Sequence, residues 1–266
     1  MIDIVKSGNL EEVTSLLRRD PRLNVNAKDD MGWASLHWAS AFGYLPVVKF
    51  LLASPGIDVN IAHNYGGTPL AFSCLEGRPQ VTRVLLKDHR VNTTFLDDKA
   101  ASPLWHAASQ ARLEVVKELI ASGRDLGDLS QMAKSSSDRK YYTTLEVARK
   151  AQGAEVVALL EQFVANPEKT RREIRVKLGM LEELAANVFA LVIFLCDDLL
   201  QLKEVPTPDV RGTDAAHFFS IARRLPMELQ MILCKRAVGS MKQTVLRKDS
   251  EPAFKDLAKI LVAKTE

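Results

Sequence analysis

Cysteine is scarce in this 266-residue chain, and Cys74, Cys196 and Cys234 are the whole set. Three widely spaced thiols build no disulfide framework and lack the paired spacing of a zinc site. All stand in apolar helical contexts, so buried reduced thiols are expected, in keeping with a cytoplasmic protein. Long apolar runs are missing too. The longest, 188–196, extends back only to Leu184 across Asn187 and is closed by Asp197-Asp198. A membrane-spanning helix needs roughly 20 apolar residues, so a buried core helix is expected and no membrane partner. Nor is there an excess of one charge: 36 basic and 33 acidic residues leave a net +3. The balance is 19 to 19 before residue 166 and 17 basic to 14 acidic after it, which excludes a nucleic-acid footprint. The chain opens on Met1-Ile2-Asp3-Ile4-Val5 without a signal-peptide core, which leaves secretion of a longer precursor open. No Gly-rich phosphate loop, Gly-x-Ser-x-Gly elbow or His-Glu-x-x-His motif occurs. No catalytic residue, cofactor or metal site is therefore expected.

What the chain does contain is a period. Gly32, Leu36, Gly43, Val47, Leu51 and Leu52 recur 34 residues on as Gly66, Leu70, Gly77, Val81, Leu85 and Leu86. Leu104, Val115 and Leu119 continue the series. A unit of this length cannot bury its apolar face alone, so copies must stack, leaving a long face free to bind. Pro69 and Pro103 belong in a first helical turn, where the missing N–H costs nothing. Gly43 and Gly77 fall where a helix needs a left-handed cap. Ala39, Ala107 and Ala108 keep the inner helix thin, while Val-Val and Leu-Leu pairs form the buried stripe of the outer helix.

The pattern resembles ankyrin repeats: Asp29, Gly32, Ala34-Ser35-Leu36-His37, Gly43, Val47-Val48 and Leu51-Leu52, then Thr68-Pro69-Leu70, then Asp97 and Ser102-Pro103-Leu104. Residues 1–26 resemble an atypical first repeat through Gly8, Val13, Leu16 and Leu17. Thr143-Thr144-Leu145, Ala148, Val156-Val157 and Leu160 give a fifth, displaced by 41 rather than 34, with the extra seven residues expected in a polar loop at 127–140. Ala111 replaces a cap glycine, and Ala71, Trp105 and Glu146 replace the motif histidine, departures expected to weaken single repeats. The resemblance implies a solenoid of about five repeats at 1–165. With the helical spacing beyond it, an all-α chain is expected, closed by a C-terminal helical-bundle domain at 166–266 that caps the repeats.

In that second region Asn166-Pro167 reads as a helix start. Ile174, Leu178, Leu181, Ala185, Val188, Val192, Leu195, Leu199 and Leu202 alternate gaps of 4 and 3, a heptad seam. One unbroken helix is expected over this span, bent at most by Gly179. The belt at Phe189, Leu191, Ile193 and Phe194 places it inside a bundle. A loop at 204–212 follows, then helical faces through Phe218 and Phe219, through Met227 to Val245, and, capped by Ser250, through Phe254 to Leu261. Leu225-Pro226-Met227-Glu228-Leu229 resembles the opening of an F-box.

His37 is expected to hydrogen-bond backbone between neighbouring repeats, as in ankyrin units, rather than to act as a base. Asp197-Asp198 reads as the point where a buried helix meets water; an enzyme would need that pair to converge with His217. Lys169, Arg171, Arg172, Arg175 and Lys177 crowd a helix start against its dipole, which points either to an acidic partner or to a solvated face. By position, the resemblance implies partner-binding residues at the hairpin tips (Asp30, Met31 and Trp33; Asn64 and Tyr65; Asp98 and Lys99). It adds the inner-helix ends: Ala41 and Phe42, Leu75 and Glu76, Ser109 and Gln110. Trp33 and Phe42 are either interface anchors or packing against the adjoining repeat. The function expected is a non-enzymatic scaffold that binds another protein through its concave face. The alternative is a ubiquitin-ligase substrate adaptor that meets a Skp-type partner through 225–266, and a homodimer through 174–202 is a third reading.

Overall fold

Short polar side chains set the starts of three successive inner helices. Thr68 Oγ1 accepts the Ala71 amide at 3.3 Å, Ser102 Oγ the Trp105 amide at 3.1 Å and Thr143 Oγ1 the Glu146 amide at 3.3 Å. Glu146 returns the bond to the Thr143 amide at 2.9 Å. At the equivalent place Ala34 has no oxygen to offer, and its own N–H is taken by His37 Nδ1 at 3.0 Å instead.

The computed structural model describes residues 1–20, 22–196, 222, 225, 227–238, 250 and 252–253. It divides into two units, 1–171 and 172–266. In the first, helices follow in pairs: α1 (Ile2–Lys6) with α2 (Leu10–Arg19), α3 (Ser35–Phe42) with α4 (Leu45–Leu52), α5 (Pro69–Leu75) with α6 (Pro79–Lys87), α7 (Pro103–Ser109) with α8 (Leu113–Ser122), α9 (Thr144–Lys150) with α10 (Ala154–Ala165). The first helices of successive pairs pack on one another in chain order, as do the second helices. Between the two rows lies the core. Leu36, Leu70 and Leu104 on one row and Val47, Leu51, Val81, Leu85, Val115 and Leu119 on the other are all fully buried.

Side chains 34 residues apart tie each pair to the last. Arg78 Nε donates to the Ala41 carbonyl at 2.9 Å, and Arg112 Nε to the Leu75 carbonyl at 3.2 Å, closing off orphan carbonyls at helix ends. Both arginines lie across glycines with left-handed backbone, Gly43 (φ 81°) and Gly77 (φ 67°). A Cβ on Gly77 would sit 2.7 Å from Arg112 Cδ, so that glycine serves the packing as well as the turn. On the other side Asn26 and Asn60 donate to the carbonyls of Gly56 and Arg90, at 2.8 and 2.7 Å.

Two expectations need correction. The first unit is not purely helical: within the inserted 127–140 segment and just after it, β1 (Ala133–Lys134) pairs antiparallel with β2 (Tyr141–Tyr142), Ala133 opposite Tyr142 and Lys134 opposite Tyr141. A polar insertion whose ends are held close closes most simply as a hairpin. The helix after Asn166 is also not continuous. It runs as α11 (Pro167–Lys177), which crosses the boundary between the units, and α12 (Met180–Cys196). Gly179 takes φ +66°, which ends a helix rather than bending it.

In the second unit α12 packs against α13 (Met227–Ala237). Its described core joins Ala186, Phe189, Ala190 and Val192 to Ala222, Cys234 and Ala253. Lys235 is fully buried and held by Glu182. No helix among the described residues is long and apolar enough to cross a membrane. The readings placed on Asp197, Asp198, Leu199, Leu202, His217, Phe218, Phe219 and Pro226, on the loop 204–212, and on 239–249 and 254–261 lie outside the described residues.

Candidate binding cleft

Two positions per unit set the character of the inner face: 29, 63 and 97 in the hairpins, and 38, 72 and 106 on the helices, all at the 34-residue step. In the first copy Asp29 Oδ1 accepts the amides of Met31 and Trp33 at 3.1 and 2.9 Å, and Oδ2 accepts Trp38 Nε1 at 3.0 Å. In the second, His63 Nδ1 accepts the Gly67 amide at 2.8 Å, and its ring meets Phe72 edge-on at 4.9 Å. In the third, Asp97 Oδ1 accepts the amides of Lys99 and Ala101 at 2.8 and 2.9 Å, while Oδ2 pairs with His106 Nε2 at 3.0 Å. The hairpin always closes on side chain 29, 63 or 97, whatever its chemistry.

Electrostatics follow from these bonds. Burial pushes the Asp97 carboxyl up, but the bonds from His106, Ala101 and Lys99 outweigh it and hold it below the usual carboxylate range. His37, fully buried with Nε2 at 3.1 Å from the Gly67 carbonyl, is driven down to about 4 by burial. It is a neutral strut between neighbouring pairs, as the sequence implied. Cys74 is buried and pushed up to about 12, an inert thiol.

Trp105 was expected to weaken its repeat by displacing the histidine. Instead its indole Nε1 donates to the Tyr142 carbonyl at 3.0 Å, the bridge that His37 makes to Gly67. The reach is 37 residues here and 30 there, and the difference is the seven inserted residues.

The tips are joined by backbone: the Asp98 amide donates to the Tyr65 carbonyl at 3.2 Å, and the Lys134 amide to the Lys99 carbonyl at 2.9 Å. Under these steps opens a cleft of about 470 Å³. Phe72, Leu75 and Trp105 line its apolar part, and Lys99, Lys134 and Lys150 its charged part. Between the lysines stands the serine triplet of the insertion. Lys99 Nζ donates to Ser136 Oγ at 2.7 Å and Lys150 Nζ to Ser137 Oγ at 2.8 Å, while Ser135 and Ser137 hydroxyls lie 3.0 Å apart. Lys150 also pairs with Asp138 at 2.8 Å, and Tyr142 donates to the same carboxylate at 2.6 Å. The Lys150 and Tyr142 bonds hold Asp138 far below the usual carboxylate range.

Of the residues named from sequence, Tyr65, Leu75, Lys99, Ser109 and Gln110 line this cleft together. Asp30, Met31, Asn64, Glu76 and Asp98 are exposed outside it, with Met31 at 63%. Ala41 is buried. Trp33 is half-buried and packs at 4.4 Å on Trp38 and 4.1 Å on Phe72. Phe42, 43% exposed, lies 5.5 Å from Trp38 and 5.6 Å from Tyr44. Sequence reasoning missed Lys134, Lys150 and the serines, because they lie in or beyond the segment that breaks the period. A lysine and serine excess at 134–140 was the one available signal. Among the described residues no three His, Cys, Asp or Glu side chains gather in a way that could hold a metal ion.

Residues 36–86 match the family model for ankyrin repeats (many copies). No curated protein matches the chain. Ankyrin repeats are generally protein–protein interaction modules, and the matched residues supply Tyr65, Phe72 and Leu75 to the cleft.

Proposed function

We propose that this chain is a non-enzymatic protein-binding scaffold: a solenoid of five ankyrin-type repeats over 1–165, followed by a C-terminal helical domain, that grips one partner protein in the cleft between its hairpin tips and inner helices. The observation that carries this reading is the cleft itself, whose walls come from successive repeats and whose rim holds Tyr65 at 69% exposure. An exposed aromatic beside an apolar floor is a typical interface anchor. The first tip serves packing instead, since Trp33 and Trp38 are engaged with each other and with Asp29. An affinity capture with the full chain tests the assignment. Tyr65→Ala with Leu75→Ala is expected to lose the partners that wild type retains, at unchanged helical circular dichroism. Equal capture by both forms contradicts it.

The adaptor reading rests on a different place. Met227 and Leu229, from the stretch that resembles an F-box opening, are exposed on α13 at 58% and 48%. Such a module would meet a Skp-type partner through apolar side chains. Co-purification with that partner, abolished by Met227→Ser plus Leu229→Ser, supports the reading, and no co-purification removes it.

A further inference from the structure

The charges of the cleft do not cancel. Asp97 is committed to His106 and to two backbone amides, and Asp138 to Lys150 and Tyr142. Among the described residues Lys99 and Lys134 pair with no carboxylate. Lys99 Nζ rests only on the neutral Ser136 hydroxyl at 2.7 Å, which also fixes where the ammonium stands. Both lysines line the cleft, and the Lys134 amide bonded to the Lys99 carbonyl holds their backbones side by side. Two cations on neighbouring backbone positions, neither paired with a carboxylate, leave the rim of the cleft attractive to an incoming anion. Opposite them the wall is Phe72, Leu75 and Trp105.

Resting on the protein-binding reading above, we propose that the cleft takes an acidic peptide segment of the partner, a Glu or Asp carboxylate meeting Lys99 and Lys134 while a neighbouring apolar side chain lies on Phe72 and Leu75. The Ser135–Ser137 turn then acts as a fixed collar that keeps Lys99 and Lys150 apart and aimed. The inserted segment is what turns a repeat surface into a charge-selective one: Lys134 takes the next tip position and Ser135 to Ser137 form the wall beside Lys99. Lysine presents a point charge that suits single carboxylates, and the volume accommodates a few side chains rather than a folded domain.

Selection of a displayed library of random 12-residue peptides on the full-length protein, in parallel with Lys99→Gln plus Lys134→Gln, tests this. Wild type is expected to enrich peptides with Asp or Glu next to a large apolar residue. Each synthesised hit is expected to bind the double variant about five- to tenfold more weakly, with a flatter dependence on NaCl. Both lysines are exposed, so thermal unfolding is expected to be unchanged. Hits without acidic bias, or hits that bind both forms equally yet are lost on Tyr65→Ala plus Leu75→Ala, overturn the acidic preference and leave the scaffold reading standing. No enrichment by wild type overturns both. Tighter binding of a fluorescein-labelled single-stranded oligonucleotide than of any hit makes the cleft a nucleic-acid site and overturns the proposal.

Discussion

The inner face of the first unit has two halves built on one frame. Around Trp33, Trp38 and Phe42 it is aromatic and closed: Trp33 touches Trp38 and the edge residue Phe72, and Asp29 spends its carboxylate on the Trp38 indole and two amides. From Tyr65 to Lys150 the equivalent positions hold Phe72, Asp97 and His106, the next wall is the serine turn of the insertion, and a cleft opens. Backbone geometry is shared, so the difference lies in side chains and in seven inserted residues. A repeat thus carries its own stability devices on the hairpin and helix, and selectivity enters where the period is broken.

The largest effect expected of the closed half is on pH dependence. His37 is held at about 4 in the fold against an ordinary value near 6.5. Between those values the unfolded chain binds the proton and the folded chain does not, so stability is full above about pH 6.5 and falls as pH drops toward 4. The loss from this ring amounts to about 3 kcal/mol. Burial also lowers His63, which adds to the same slope. Urea unfolding at pH 7 and pH 4.5 measures the slope, and His37→Asn is expected to flatten most of it; an unchanged slope breaks the assignment.

Next in size is the contrast between two exposed-looking aromatics. Trp33→Ala removes the centre of the aromatic cluster and is expected to cost about 2–3 kcal/mol, whereas Tyr65→Ala is expected to stay within about 0.5 kcal/mol. Equal losses in denaturant titrations would erase the distinction between the halves. Trp105→Phe keeps the ring but leaves the Tyr142 carbonyl without its donor, for about 1–2 kcal/mol. Its amide exchange at Tyr141–Tyr142 is expected to quicken, because the ribbon loses the tie to α7.

The smallest effects are gains. Ala100 (φ 62°) stands where Gly32 and Gly66 stand, and Ala111 (φ 50°) where Gly43 and Gly77 do. A left-handed alanine is strained, so Ala100→Gly and Ala111→Gly are each expected to raise stability by about 0.5–1 kcal/mol in thermal melts.

Much of the helical part of the first unit could be read from composition and spacing. Pro69 and Pro103 do begin helices, Gly43 and Gly77 do turn left-handed, and the repeating leucines and valines are the core. Each is set by local backbone chemistry or by burial, which a single sequence displays. Arg78 and Arg112 also recur at the period, but their targets are backbone carbonyls that carry no residue signature. The pairs Asp29–Trp38, His63–Phe72 and Asp97–His106 stayed hidden for the opposite reason: one geometry, three chemistries. The ribbon at 133–142 arises from closing an insertion whose length the period reveals and whose conformation it does not. Gly179 was visible, but whether a glycine bends or ends a helix depends on the left-handed turn it takes there. Of the tip and helix-end positions marked by the period, Tyr65, Leu75, Lys99, Ser109 and Gln110 line the cleft and the others do not, while Lys134, Ser135, Ser136 and Ser137 needed the fold to bring them against Lys99.

The most direct measurement of the central claim is amide hydrogen exchange on the full-length protein, with and without a saturating acidic peptide from the selection. Slowed exchange at 65–67, 97–101 and 134–137, with no change at 33–42, is the expected result. Protection confined to 33–42, or absent from the serine turn, would contradict the account.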